Sequence, residues 1–490
     1  MNSKSKNDID TPIFSTLMNH FEKKPISGHV PGHKYGTVFP KEGRRFFDNI
    51  LKIDATEITG LDDLHDPQGI IKEAQQLTAQ LYGSERTYFL VNGSTVGNIA
   101  MILANCERGS KVLVQRNCHK SILNGIELAG AEPIFIMPEY NQMIGVSTSI
   151  TLESLEEALD QYNNVSGLII TNPNYYGLTV PLTKIIEKAH DYNIPVLVDE
   201  AHGAHFVIGD PFPSSAIRCG ADIVIHSAHK TLPAMTMGSF LHMQGNLVNR
   251  DRVEYYLRML QSSSPSYPIM ASLDLARAYI SNFREQSSLL IEKINNLKEE
   301  ISTIEEIEIV ESEENVKMDP LKIILRSTVG LSGYQLQSLL ESENIFPELA
   351  DLQNVLFILP LSTEEHFHGM INKIRKAVHL KGDNRKESPN PLNFVDKSIR
   401  KLSTLHIPLD KQYMFRKVEC DLLQSEGKVS AETIVPYPPG IPVLYKGEVI
   451  TKEIIEYITT LSEQGAKLQG KELAKYRKIY VFYIEKELHQ

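Results

Sequence analysis

The sequence predicts an α/β fold: a large domain with a mostly parallel sheet, a smaller α/β domain, and a C-terminal domain. Three observations predict it. Between residues 65 and 230, short apolar runs rich in β-branched residues ("KVLVQR", "GLIITN", "IPVLVDE", "ADIVIHS") alternate with helical patterns. Each run is bounded by polar, Gly or Pro residues and followed by enough chain for a crossover helix. The runs are apolar throughout, the pattern of strands covered on both faces. Past residue 285 the texture changes, with Leu290, Ile294, Leu297 and Ile301 spaced as a long amphipathic helix that opens a second domain.

In chain order, residues 1–60 form an N-terminal segment and 61–285 the major domain. Ile70, Ala74, Leu77 and Leu81 fall at i, i+4, i+7 and i+11, an apolar stripe on a helix. "TYFLVNGST" then reads as a strand running into a turn and a helix start. The smaller domain spans 286–380 and a polar linker 381–395, which overlaps "HLKGDNRKESPNP" (379–391). The C-terminal domain covers 396–490, where "VPYPPGIPVLYKGE" is too rich in proline for a helix.

Composition removes several function classes. A net charge of −11 over 490 residues argues against a surface that tracks nucleic-acid phosphates and weakly favours a cationic ligand. Cys106, Cys118, Cys219 and Cys420 lie far apart with no C-x-x-C pair, so neither a disulfide scaffold nor a structural zinc site is expected. The start, "MNSKSKNDIDTPIF", has no apolar signal region, and no apolar run approaches the ~20 residues that span a bilayer. A cytoplasmic protein is expected.

The stretch "VDEAHGAHF" (198–206) admits three readings. Asp199-Glu200-Ala201-His202 spells a helicase signature, but no G-x-x-x-x-G-K-[ST] phosphate loop accompanies it. His202 and His205 suggest a metal pair, yet nothing brings a third ligand such as those of "EEHFHG" (364–369) to them, so no metal is expected and His205 is assigned to packing.

The third reading comes from "HSAHKT", 31 residues on, which puts Lys230 just past a strand end. An acid at one strand end and a lysine after the next strand suit pyridoxal 5'-phosphate. Lys230 would hold the aldehyde as a Schiff base and Asp199 would keep the ring nitrogen protonated. "NGST" (92–95) offers Gly93, Ser94 and Thr95 at a helix start suited to the phosphate, with Ser227 a further donor. His119 is the candidate to stack on the ring and Ala201 leaves room on the other face. His202 would reach the ring hydroxyl, and His229 the phosphate or substrate.

With these residues assembled, the chain resembles the ornithine/lysine/arginine decarboxylase family, bacterial enzymes of the aspartate-aminotransferase fold (fold type I). The matching stretches run nearly end to end: "GHVPGHKYG", "TEITGLDDLHDPQG", "LVNGSTVGN", "QRNCHKS", "TNPNYYG", "VDEAHGAH", "HSAHKTLPAMTMGSFLH", "SSSPSYPIMASLD" and "YPPGIP". The resemblance implies the same roles for Lys230, Asp199 and His119, and phosphate contacts from Ser94, Thr95, Ser227 and His229. It also implies a homodimer with shared active sites, in which Ser263 of "SSSPSY" reaches the phosphate bound by the other subunit. The chain looks like the short form, so no decamer is expected.

The expected reaction is decarboxylation of a basic amino acid, arginine before lysine and then ornithine, to the amine and carbon dioxide. Glu348, Asp351, Asp421 and Glu432 are candidates for the distal cation. Two alternatives stay open: another fold-type-I enzyme, an aminotransferase or carbon–carbon lyase in which Arg326 anchors a carboxylate, and a non-catalytic cofactor-binding regulatory protein.

Overall fold

The computed structural model describes residues 10–313, 316–364, 367, 369–379, 401–436, 440–469 and 477–484. The linker expected over 381–395, the histidines of "EEHFHG" and residues 437–439 of "YPPGIP" lie outside the described residues. The main strands, in chain order, are β1 (Arg86–Leu90), β2 (Lys111–Gln115), β3 (Glu132–Ile136), β4 (Val165–Thr171), β5 (Val196–Asp199), β6 (Ile223–His226) and β7 (Ser239–Met243). They are followed by β8 (Ile307–Ile309), β9 (Lys322–Ser327), β10 (Leu349–Ala350), β11 (Asn354–Ile358), β12 (Leu402–Thr404), β13 (Lys417–Asp421) and β14 (Lys478–Phe482). Every apolar run singled out in the sequence as a strand is one.

The chain folds as two compact units, Met1–Asn105 with Pro195–Ser287, and Cys106–Ile194 with Ser288–Gln490. In the first unit the strand order is β1-β7-β6-β5. β7 runs against both neighbours and β5 lies parallel to β6, so three of the four strands share one direction. Phe89 and Phe240 are fully buried on one face, their ring centroids 5.3 Å apart. Burying a phenylalanine stabilises by roughly 1.5–3 kcal/mol, so this aromatic pair is a substantial part of what ties β1 to β7.

The other face receives the helix Gly93–Asn105, whose close approach depends on Gly97. A Cβ there would stand 2.7 Å from Leu90 Cδ1 and 3.0 Å from Ile225 Cδ1. The missing side chain lets the helix settle onto the strands.

In the second unit β4-β2-β3 are parallel and β12 is reversed. A separate antiparallel sheet, β8-β9-β11-β10, carries the helices Gly333–Ser342 and Met370–His379 of the smaller domain. The helix Ser287–Ser302 buries Leu290, Ile294 and Ile301, as the sequence spacing predicts. Near the C-terminus β13 and β14 pair antiparallel beside a core of Leu422, Ile434, Leu444, Ile450, Ile455, Ile458, Ile479 and Val481.

The helix expected from the stripe exists, as Ile70–Tyr82; its buried residues are Ile71, Ala74, Gln75, Thr78, Ala79 and Tyr82, while Ile70, Leu77 and Leu81 are half-buried. Two of the buried polar residues are satisfied internally. Thr78 Oγ1 donates to Ala74 O at 2.7 Å and Tyr82 OH to Ala204 O at 2.6 Å. An amphipathic count treats them as solvent-facing and so rotates the helix.

Candidate active site

The first unit brings most of the expected site residues to the ends of β5 and β6. Asp199 is the last residue of β5 and buried. Its Oδ2 accepts from Asn98 Nδ2 at 2.8 Å and its Oδ1 from the Ala201 backbone at 3.2 Å, so the carboxylate is oriented by two donors. Asn98 was not assigned from sequence, although it stands four residues after Ser94 and therefore on the same helix face. That spacing was the available signal.

β6 ends at His226, Ser227 follows, and Lys230 lies in the single helical turn Ala228–Thr231. Lys230 is half-buried and its Nζ lies 3.1 Å from Nε2 of His202, which is buried. The amine donates, so His202 Nε2 is the acceptor and the imidazole carries its proton on Nδ1. Ser227 Oγ donates to Ser94 Oγ at 2.7 Å. This bond joins the strand end to the first turn of Gly93–Asn105, where unpaired backbone N–H groups favour an anion. Thr95 is exposed in that turn, and no atom lies within 4 Å of where a Cβ on Gly93 would stand.

The remaining residues are placed as follows. His229 Nδ1 lies 2.9 Å from Gly238 O, and Ala201 is half-buried. Ser263 is exposed; the N–H of neighbouring Ser262 donates to Asn92 Oδ1 at 3.4 Å, holding "SSSPSY" beside "NGST". His119 belongs to the second unit, at the N-cap of Lys120–Ala129 just past β2, with its Nδ1 2.8 Å from Ser121 Oγ. His205 is fully buried, edge-on to Phe206 and Phe212, the packing role expected of it. Among the described residues no cluster of three or more His, Cys, Asp or Glu could hold a metal ion.

Two sequence candidates are committed elsewhere within the second unit. Asp351 accepts from the backbone of Gln353 and Asn354, from Asn354 Nδ2 and from Tyr176 OH. Burial and the Asp351 charge hold the Tyr176 hydroxyl protonated far above its usual range. Arg326 donates to Asn354 Oδ1 and to the carbonyls of Met143 and Ile144. Glu348 is exposed, and Asp421 caps a short helical turn through Leu423 N. Glu432 accepts from Tyr480 N and lines a cavity of about 820 Å³ with Lys120, Lys417 and Lys446.

Comparison with known proteins gives a consistent answer. Residues 11–315 match the Orn/Lys/Arg decarboxylase major domain and residues 410–473 the C-terminal domain of the same family. The chain is 46% identical over 486 residues to the uncharacterized protein YaaO of Bacillus subtilis, covering 98% of this chain and all of that one. It is 37% identical over 473 residues to the arginine decarboxylase of Bacillus subtilis, covering 94% and 96% of the two chains. In fold it resembles the lysine decarboxylase of Francisella novicida, with a TM-score of 0.80 at 21% identity, covering 98% of this chain and 82% of that one.

Proposed function

Because the chain belongs to the Orn/Lys/Arg decarboxylase family, whose members are pyridoxal-phosphate-dependent amino-acid decarboxylases, we propose that it releases carbon dioxide from a basic amino acid. Arginine is preferred to lysine, and lysine to ornithine. Support for arginine comes from Bacillus arginine decarboxylases that are 36–37% identical across nearly the whole chain. The observation that carries the reading is that Lys230, just past β6, meets His202, three residues past buried Asp199 at the end of neighbouring β5.

The residues present fit the cofactor: a buried, oriented carboxylate, a lysine amine, two bonded hydroxyls at a helix N-terminus, and open space beside Gly93. Bound there, pyridoxal phosphate supplies an aldehyde for amines and a ring that accepts the electrons of the breaking Cα–carboxylate bond.

Asp199 would hold a proton on the ring nitrogen, with Asn98 keeping the carboxylate oriented. Ser94, Thr95, Ser227 and His229 would hold the phosphate, Ala201 would leave room beside the ring, and His119 would stack on the ring on the strength of its motif. Lys230 would hold the aldehyde and give a proton to Cα of the substrate, with His202 accepting from its Nζ and keeping it in place.

A homodimer with shared sites, Ser263 reaching the partner's phosphate, belongs to the same proposal. No helix among the described residues is long and apolar enough to cross a membrane; a cytoplasmic location is part of the same proposal.

Borohydride reduction of the cofactor-loaded protein, followed by peptide mass mapping, tests the reading. The cofactor's mass is expected on the peptide containing Lys230. Its appearance on another lysine, or on none, would overturn the assignment.

A further inference from the structure

Beneath the strand ends lies a buried polar ladder that the proposed chemistry does not use. Successive residues of a strand point to opposite faces, so Glu200 and His226 face away from Asp199 and Ser227. Glu200 and His226 side chains are fully buried, with His226 Nε2 2.7 Å from Glu200 Oε2. Ser215 Oγ donates to the same oxygen at 2.6 Å, and the Ala216 backbone to Oε1 at 2.8 Å. From His226 the ladder continues across the strands: His242 Nε2 lies 3.1 Å from His226 Nδ1, and Thr87 Oγ1 lies 2.8 Å from His242 Nδ1. It therefore crosses β5, β6, β7 and β1 in their spatial order.

A carboxylate oxygen accepts, so His226 donates from Nε2 to Glu200, and the His226–His242 and His242–Thr87 contacts carry the ladder on from there. Two further features pack against this ladder. Tyr82 lays its ring 4.5 Å from that of His242, and a Cβ on Gly203 would stand 2.5 Å from Glu200 Cγ, so the glycine of "DEAHG" makes room for the glutamate.

We propose that Glu200 and His226 are positioning residues, clamping the end of β5 to the end of β6 so that Asp199 and Ser227 stand at the separation the cofactor's ring nitrogen and phosphate require. Each member of the clamp adjoins one of the groups it places: Glu200 follows Asp199, and Ser227 follows His226. The backbone bonds Glu200 N to Ile225 O, 3.0 Å, and Ser227 N to Ala201 O, 3.2 Å, end the pairing at this level. Past them the two chains part toward the site, and the side-chain bridge limits how far they splay. The inference rests on the cofactor reading above.

The test is titration of cofactor-free protein with pyridoxal phosphate, read by visible absorbance and by visible circular dichroism, which reports how the bound ring is oriented. His226→Leu is expected to weaken binding about tenfold, as loss of a group that orients direct ligands does, and to alter the visible dichroism. His226→Gln, whose amide both donates to Glu200 and accepts from His242, is expected to restore both. Wild-type affinity and dichroism in His226→Leu, or no rescue by His226→Gln, would overturn the proposal. Should His226→Leu not fold, Ser215→Ala removes one donor to Glu200 and is expected to weaken binding in the same direction; unchanged affinity there would also overturn it. An unsubstituted protein that binds no cofactor would overturn the cofactor reading, and this proposal with it.

Discussion

Lys230 Nζ and His202 Nε2 lie 3.1 Å apart, with the imidazole buried behind the amine. A neutral acceptor at that distance keeps the lysine directed while leaving it free to carry a proton. His202→Phe is expected to lower kcat about 100-fold, the lower end of what a proton-transfer partner contributes, with little change in KM. Steady-state kinetics on the cofactor-loaded variant checks this; an unchanged kcat would remove His202 from the proton path.

The seating of Gly93–Asn105 on the strands gives a second expectation. Gly97→Ala places a methyl against Leu90 and Ile225, both fully buried. Such overpacking costs about 1–3 kcal/mol. The helix start carrying Ser94 and Thr95 moves with it, so a lower denaturation midpoint should accompany weaker pyridoxal phosphate binding. Loss of stability at unchanged affinity would separate the packing from the site.

His242 gives a pH dependence of known sign. Burial first, and His226 second, hold its pKa well below the ordinary 6.5. The groups facing it are Thr87, His226 and the Tyr82 ring, with Glu200 beyond His226. As pH falls through 6.5 the unfolded chain takes up a proton that the folded chain refuses, so stability present above 6.5 is lost on acidification. The slope from this one group approaches about 1.4 kcal/mol per pH unit below that point. Urea denaturation of the cofactor-free protein between pH 7 and 5 should show it. His242→Gln should flatten the curve, and an equal slope in that variant would place the effect on other groups.

What the sequence reveals and what it conceals divide along physical lines. β2, β4, β5 and β6 are legible because buried parallel strands are apolar throughout, and Asp199 and Lys230 because strand ends are where such folds collect chemistry. Ser94 and Ser227 follow from the same placement. The buried side of Ile70–Tyr82 is not legible because Gln75, Thr78 and Tyr82 are inside, where internal partners or packing accommodate them. Glu200, His226 and His242 stay hidden for another reason: they come from three strands and meet only through the order β1-β7-β6-β5. No local spacing encodes that order. The bonds of Asp351 to Tyr176 and of Arg326 to Asn354 are likewise invisible in the sequence, because they join residues far apart in the chain or on separate strands.

The most direct test is carbon dioxide and amine release by the purified, pyridoxal-phosphate-loaded protein, with arginine, lysine and ornithine supplied separately. Stoichiometric carbon dioxide and amine, with the highest kcat/KM for arginine, is the predicted result. A protein that carries the cofactor yet releases carbon dioxide from none of the three, or yields a keto acid instead, would contradict the account.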